Sequence, residues 1–335
     1  MAQRFTSPAD PEFTKLLVLT GDNDERIAVP AQRQFAQAIQ LPLRQGVLDG
    51  DITGMVFNSF PMAPGAAVEF PLDLYVPGNE GDYTAYTIPN HGRIPERMVE
   101  SDYVTVPTYE IGNSIDWLLK YARDARWDVV GKAMAVMETG FIRKLNLDGW
   151  SLIIAAAVDR NVVVYDTTAV AGYFTKRLVS LMKLQMRRSG GGNTTAANPR
   201  RLTDVFVSPE GLEDMRTWDL TQVDDMTRRE IFVGKVDGGL GGFYQVGLHE
   251  LLELGEGQPF QTYFLRIGGT FSNGDLELVV GLDLSNPDIF MMPIKQPVEV
   301  FEDPTLHRQR RAGYYGWGEQ GFAILDNRAI LLGTF

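Results

Sequence analysis

The residue types that carry most enzyme chemistry are scarce in this sequence and stand outside the motifs that such chemistry needs. No cysteine is present, which excludes disulfides, zinc–thiolate sites and cysteine nucleophiles. The histidines are His91, His249 and His307, and none belongs to a recognisable catalytic motif. His249 opens the run HELLE, but Glu253 stands where a zinc-protease helix has its second histidine. We predict no metal site and interpret this run as a solvated helix face.

One glycine pattern has the spacing of a dinucleotide-binding loop. Residues 316–321, GWGEQG, match G-x-G-x-x-G. That loop binds a cofactor only between a strand and a helix, with a further strand and an acidic residue downstream. Because the sequence ends at Phe335, no room is left for those elements. We predict no cofactor.

Paired carboxylates are the remaining candidates for general acid and base chemistry. Asp224-Asp225, and Asp283 with Asp288, are examples. A soluble α+β hydrolase that uses such a pair is one alternative for this chain. Since most carboxylates in proteins are structural or solvated, we predict no catalytic residue.

The charge of the chain limits its partners. A net charge of −12 argues against general binding to a phosphate backbone, although it permits an acidic wall around nucleic acid. Basic residues gather at Arg187-Arg188, Arg200-Arg201 and 307–311, where we expect them to meet acids of a neighbouring subunit. No apolar run approaches the ~20 residues of a membrane helix, so no membrane partner is predicted.

A long amphipathic helix is predicted over residues 124–147. Its apolar positions recur in steps of three and four, the spacing of one helix face: Trp127, Val130, Met134, Met137, Phe141 and Leu145. Glu138 falls off this stripe and is expected to meet water. Asp148-Gly149 is predicted to stop the helix. Gly131 and Gly140 interrupt it, either for close packing or for bending, and periodicity does not choose between these.

The segments before this helix offer little surface for a core of their own. Residues 1–66 are predicted to form an irregular arm because prolines punctuate them, with one short helix at about 31–40. Residues 67–112 are predicted to form a long hairpin with strands at 83–88 and 104–111. An isolated hairpin is marginal in water, so we expect it to lie on another copy of the chain. The predicted intersubunit contacts are Arg93, Glu96, Arg97, Glu100 and Tyr103.

The remaining chain mixes helices and strands, which predicts the α+β class. Strands are expected at 162–165 and 205–207 and a helix at 175–187, with a flexible loop at 189–199. Ser208-Pro209-Glu210 has the composition of a helix start. Residues 229–292 are predicted to be rich in strands, including residues 262–269, and further strands are expected at 298–303 and 310–318.

The order of these parts resembles the major capsid proteins of tailed phages, which have the Hong Kong 97-like capsid fold. Three stretches carry the resemblance: WDVVGKAMAVMETGFIRKLNLDG, TDVFVSPEGLEDMRTW and RRAGYYGWGEQGFAILDNRAILLGTF. The resemblance implies an N-terminal arm (1–66), an extended loop (67–112), a peripheral domain (113–160 and 297–321) with the long helix as its spine, and an axial domain (161–296 and 322–335).

The resemblance also implies a function. Such proteins assemble as pentamers and hexamers into an icosahedral shell around double-stranded DNA, in a virion assembled in the host cytoplasm. Portal, scaffold and decoration proteins would be partners. The spine helix can bend in the immature shell, which Gly131 and Gly140 would suit. The alternative with the same fold is an encapsulin-like nanocompartment, whose cargo is protein.

Two features depart from parts of that family. Some members join neighbouring subunits covalently through a lysine of the extended loop, but no lysine lies between Lys15 and Lys120 here. We therefore expect no such crosslink. No long acidic helical segment precedes the arm, so we expect any scaffold to be a separate protein.

Overall fold

The described part of the chain forms two compact units. A computed structural model describes residues 11–22, 24–50, 53–71, 103–189, 200–218, 240–243, 246–272 and 274–335. Backbone contacts group residues 1–69, 105–149 and 291–323 into the first unit and residues 70–104, 150–290 and 324–335 into the second. Helices and strands are mixed in both, as the α+β prediction requires.

The sequence predicts only some of the secondary-structure elements. The helices are α1 (Pro11–Thr20), α2 (Glu25–Gly50), α3 (Thr53–Val56), α4 (Leu119–Arg123), α5 (Trp127–Asp159), α6 (Lys176–Ser189), α7 (Pro209–Thr217) and α8 (Pro259–Arg266). The strands are β1 (Asn58–Pro61), β2 (Glu69–Pro71), β3 (Tyr103–Thr105), β4 (Tyr109–Leu118), β5 (Val163–Tyr165), β6 (Asp204–Val207), β7 (Leu240–Phe243), β8 (Val246–Glu250), β9 (Leu278–Leu282), β10 (Phe290–Asp303), β11 (Arg311–Gln320), β12 (Ala323–Ile324) and β13 (Ile330–Thr334).

The amino-terminal region is helical, so the prediction of an irregular conformation is wrong for most of residues 11–56. Pro30 and Pro42 lie inside α2, where a proline in a helix interior costs about 3 kcal/mol. The helix forms nevertheless because one of its faces is buried along its whole length. That face consists of Ala28, Ala31, Phe35, Ala36, Ile39, Leu43 and Val47.

The sheet of the first unit has the spatial order β1, β10, β11 and β4. β1 is parallel to β10, and the other neighbours are antiparallel. β11 and β4 pair from Arg311 with Leu118 to Gln320 with Tyr109, without a register shift. β4 therefore forms one edge of this sheet among the described strands. β2 and β3 form a separate two-stranded sheet.

The long helix α5 has 33 residues and is about 50 Å long. The predicted stop at Asp148-Gly149 is wrong, because the helix continues to Asp159. Its continuation is stabilised by burial: Trp150, Ile153 and Ile154 are fully buried. Glu138 is also buried, at 2% exposure, and the prediction that it meets water is wrong.

The core of the first unit contains the predicted apolar face of α5. Every member of that face is buried, and the face joins residues of α2, β4, β10 and β11 in one cluster. Phe35, Trp117 and Tyr314 occupy the cluster, with Trp117 stacked on Tyr314 at 5.0 Å between ring centres. Packing of this face therefore determines where α5 lies on the sheet.

The sheet of the second unit has the spatial order β5, β13, β9, β6, β8 and β7. β13 is parallel to β5 and β6 is parallel to β8, while β9 is antiparallel to both β13 and β6. The predicted strands at 162–165 and 205–207 and the predicted helix at 175–187 are confirmed within one or two residues. Ser208 caps α7, accepting a hydrogen bond from the Gly211 N–H at 3.2 Å, as predicted.

Two local predictions in this unit are wrong. Residues 262–269 were expected to be extended, but α8 covers Pro259–Arg266 and buries Phe260 and Phe264 at helical spacing. The HELLE run is not a helix face, since His249 and Glu250 end strand β8. Several predicted features lie outside the described residues: the strand at 83–88, loop residues 190–199, and residues 229–236.

Candidate assembly surface

The glycines of the GWGEQG run make room for neighbouring structure. Gly316 and Gly318 lie within β11, so the run does not open a helix. A Cβ atom on Gly316 would lie 2.7 Å from the Met137 Cε atom. A Cβ atom on Gly318 would lie 3.0 Å from the Gln296 carbonyl oxygen and 3.1 Å from the Val298 nitrogen. These glycines therefore allow β11 to approach α5 and β10 closely.

The inward face of β4 carries an asparagine that reaches the backbone of α5. Its neighbours on that face, Ile111 and Trp117, are buried in the core. Asn113 Nδ2 donates to the Met137 carbonyl oxygen at 3.1 Å, and Asn113 Oδ1 accepts from the Ser114 N–H at 2.9 Å. Both the NH2 group and the oxygen of the Asn113 side-chain amide therefore have a hydrogen-bond partner.

Gly140 provides the space for this amide. A Cβ atom there would lie 2.4 Å from Asn113 Nδ2, closer than side chains approach one another. This contact supports the interpretation that Gly140 allows close packing. Gly131 is buried in the same helix. The role of Asn113 was not predicted from the sequence, although a polar residue among inward apolar residues at alternate positions is a visible signal.

A second side-chain contact joins the start of β4 to α5. The Tyr109 hydroxyl donates to Asp148 Oδ2 at 2.8 Å, while Lys144 Nζ binds Asp148 Oδ1 at 2.8 Å. Partial burial and the hydrogen bond to Asp148 raise the pKa of Tyr109 above its usual value, so the phenol stays protonated and able to donate. Asp148, predicted to end the helix, instead binds side chains from two elements.

The face of the sheet opposite α5 carries a group of aromatic rings. Phe301 stacks with Tyr315 at 5.6 Å and with Trp317 at 6.4 Å between ring centres, and Tyr315 is 42% exposed. An open concavity of about 470 Å³ lies beside them. It is lined by Gly112, Asn113, Ser114, Tyr315, Gly316 and Trp317. Exposed aromatic surface of this kind is typical of protein contacts.

Only one of the predicted intersubunit residues is described. Tyr103 lies in β3 and is 63% exposed, so its ring is available for a contact. Arg93, Glu96, Arg97 and Glu100 lie outside the described residues. Their role in contacts between copies stays a prediction.

An arginine from each of two basic groups binds an acid of the same chain, and for the buried Arg200 this corrects the expectation that it meets a neighbouring subunit. Arg311 binds Asp116 at 3.0 Å across β11 and β4, where both side chains are exposed. Arg200 is 2% exposed and binds the buried Asp326 through its Nε atom at 3.0 Å. The contact of Arg200 is internal because burial leaves it no access to another subunit.

Asp326 holds together a group of cations in the second unit. Arg328 donates to its Oδ1 atom at 2.8 Å, and Arg160 donates to the Arg328 carbonyl oxygen at 3.2 Å. Burial opposes ionisation of Asp326, but hydrogen bonds from Arg328 and the charge of Arg200 outweigh it and hold its pKa below the usual range. The carboxylate is therefore ionised where the arginines need it.

Near α7, a group of acids disfavours ionisation of one of its members, Glu277, in contrast to Asp326. Burial raises the pKa of Glu277, and the charges of Glu210, Asp214 and Glu256 raise it further, although a hydrogen bond from Ser208 opposes them. The backbone of Glu277 also pairs with Phe335, donating at 3.1 Å and accepting at 3.2 Å. Glu277 therefore connects this group of acids to Phe335, the residue that follows β13.

Asp283, one of the carboxylates considered for catalysis, binds backbone N–H groups instead. Asp283 is fully buried and accepts from the Arg201 N–H at 2.9 Å and the Ser285 N–H at 3.1 Å. Asp288 lies five residues after Asp283, and Asp224-Asp225 lies outside the described residues. His249 binds Asp204 at 2.8 Å between neighbouring strands. In the described part of the chain, no group of three or more histidine or acidic side chains could hold a metal ion.

Comparison with known proteins identifies the fold. No protein-family profile and no curated protein matches the chain. A structure from Microbacterium phage Oxtober96 matches with a TM-score of 0.57 at 12% identity, over 85% of this chain and 90% of that one. A structure from Mycobacterium phage Adephagia matches with a TM-score of 0.54 at 12% identity, over 86% and 88%.

A third match comes from the head structure of Helicobacter pylori bacteriophage KHP40. Its TM-score is 0.52 at 10% identity, and it covers 82% of this chain and 86% of that one. The class of architecture is thus that of phage capsid structures. This chain has the Hong Kong 97-like capsid fold, and the predicted fold is confirmed. None of the described helices is long and apolar enough to cross a membrane.

Proposed function

We propose that this protein is the major capsid protein of a tailed phage. The observation that supports the proposal is a fold match to phage structures over more than four-fifths of the chain, including one described as a phage head. Copies of the chain assemble as pentamers and hexamers into an icosahedral shell that encloses double-stranded DNA. The role is structural, with no catalytic step, cofactor or metal.

The contacts between copies come from segments that cannot be stable alone. The extended loop, residues 67–112, lies on a neighbouring copy, where Arg93, Glu96, Arg97, Glu100 and Tyr103 make the contacts. An isolated hairpin is marginal in water, and Tyr103 is 63% exposed. Many weak contacts of this kind, repeated by symmetry, give a closed and cooperative assembly.

The acidic balance of the chain suits a container for DNA. With a net charge of −12, the inner wall encloses DNA without gripping it or reading its sequence. Assembly takes place in the host cytoplasm, with portal and scaffold proteins as partners and decoration proteins where the phage has them.

The spine helix α5 takes part in maturation under this proposal. It bends in the immature shell and straightens as the shell expands, and Gly131 and Gly140 lower the helix propensity where bending occurs. Normal expansion of shells made from a Gly131→Ala, Gly140→Ala double variant would contradict this role.

The experiment that tests the proposal examines particles purified from infected or expressing cells. After treatment with nuclease, phage particles are expected to retain double-stranded DNA of one defined length, recovered only when the shell is opened. Particles from cells that lack the other phage proteins serve as the empty control. A uniform protein cargo without protected DNA would indicate an encapsulin-like nanocompartment and contradict the viral proposal.

A further inference from the structure

We propose that β4 transmits mechanical load between the extended loop and the long helix α5 through two side-chain contacts, Tyr109 with Asp148 and Asn113 with the Met137 carbonyl. We call this pair of contacts the β4–α5 link. The inference rests on the proposed function, since the load comes from neighbouring copies in a shell. It assigns to Asn113 and Tyr109 a role in coupling assembly to the shape of α5.

The two contacts lie at matching intervals on the strand and the helix. Tyr109 and Asn113 are four residues apart on one face of β4, a distance of about 13 Å along a strand. Asp148 and Met137 are 11 residues apart on α5, about 16 Å along a helix. The strand and the helix therefore run side by side in opposite directions and are held at two separate points.

Each contact resists sliding of the strand along the helix. Asn113 donates at 3.1 Å to a carbonyl in the middle of α5, in the space that Gly140 leaves open. A helix carbonyl has a second lone pair that can accept from a side chain, so this bond adds to the helix's own hydrogen bonds. Tyr109 donates to an aspartate that Lys144 also binds, so one carboxylate of α5 contacts both side chains.

The chain connects β4 directly to the loop that is proposed to meet neighbours. β3 ends at Thr105 and β4 begins at Tyr109, with the Val106 N–H bound to the Val68 carbonyl at 2.9 Å. Three residues join β3, in the described part of the loop, to β4, so displacement of β3 passes into the first residues of β4. Because coupling between two sites is reciprocal, straightening of α5 would also reposition the loop.

Amide hydrogen exchange on the full-length protein tests the link. The variants are Tyr109→Phe, which removes one hydroxyl, and Asn113→Ala, singly and combined. Ser114→Ala is the matched control, because Ser114 lies on the other face of the same strand and its backbone N–H is retained. In unassembled protein, each single variant is expected to increase exchange of amides 137–148 about 5-fold, the effect of one hydrogen bond.

Assembled shells provide the second part of the test. In the wild type, assembly is expected to slow exchange in both β4 and residues 137–148 of α5. In the double variant, assembly should slow exchange in β4 alone. Exchange of residues 137–148 that matches the Ser114→Ala control, in unassembled protein or in shells, would overturn the link. Absence of particles by microscopy would contradict the proposed function instead, and the measurement on unassembled protein would still decide the link.

Discussion

Single glycines of β11 determine how closely the sheet can approach its neighbours. At Gly318 a Cβ atom would meet backbone atoms of β10, which cannot move aside, whereas at Gly316 it would first meet the flexible end of Met137. At Gly112 the nearest atom would be 3.5 Å away, an ordinary contact. The GWGEQG run is therefore explained by packing within one unit.

We expect Gly318→Ala to lower the free energy of unfolding by about 1–3 kcal/mol, the usual cost of overpacking. Gly316→Ala should cost less because Met137 can turn away, and Gly112→Ala should cost least. Urea unfolding of the three variants measures the order. Equal costs at Gly318 and Gly112 would show that β10 yields to the added methyl group.

The carboxylate of Asp326 balances cations that have little access to water. Removing its charge would leave Arg200 buried beside Arg328 without a counter-charge. We expect Asp326→Asn to cost about 3–5 kcal/mol of unfolding free energy, as for other broken buried pairs. Asp116→Asn, which breaks the exposed pair with Arg311, is the control and should cost about 1 kcal/mol or less. Similar costs for both variants in chemical unfolding would contradict this assignment.

At the scale of elements, burial of apolar side chains determined the secondary structure where the local sequence signals conflicted with it. The apolar face of α5 from Trp127 to Leu145 could be predicted because its spacing is helical and all of it is buried. The end of α5 could not, because Asp148-Gly149 has the composition of a stop while the burial of Trp150 and Ile153 outweighs it. In α2, likewise, the prolines are visible in the sequence, but the surface that buries Phe35 is not.

The contacts of Tyr109 and Asn113 with α5 also could not be predicted from the sequence pattern. Tyr109 lies in the predicted strand at 104–111 and Asn113 lies two residues beyond it, yet their partners are 39 and 24 residues away in α5. Alternation predicts which face of a strand a residue occupies but not which helix atom it meets. Contacts of this kind follow from tertiary packing, which the sequence pattern does not encode locally.

The last strand of the second unit is expected to respond to pH through Glu277. Its raised pKa means that the folded chain prefers the protonated carboxyl. Stability from this group is therefore present at low pH and is lost as the pH rises past its ordinary value of about 4.3 and through the raised folded value. Glu277→Gln, which cannot ionise, should avoid that loss.

Urea unfolding at several pH values measures the difference between Glu277→Gln and the wild type. We expect the variant to gain stability relative to the wild type as the pH is raised above about 4.3. Glu110→Gln, which removes one carboxylate at an exposed position on β4, is the control. A difference that stays constant across this range would contradict the assignment.

At the scale of the whole molecule, the positions of the lysines predict whether subunits can be covalently crosslinked. Because no lysine lies between Lys15 and Lys120, the extended loop has no amine for an intersubunit isopeptide bond. Under the proposed capsid function, we expect mature shells to dissolve into a single band of monomer in denaturing electrophoresis. A ladder of covalent oligomers that persists under these conditions would show that another residue supplies the crosslink.

Self-assembly of the chain follows from the proposed capsid function. The protein is expressed alone, separated by size-exclusion chromatography and imaged by negative-stain electron microscopy. We expect closed shells, rings of capsomer size or tubes in the high-mass fractions. A monomer that persists at high concentration, unchanged by crowding agents or by added phage scaffold protein, would contradict the proposal that this chain builds a capsid.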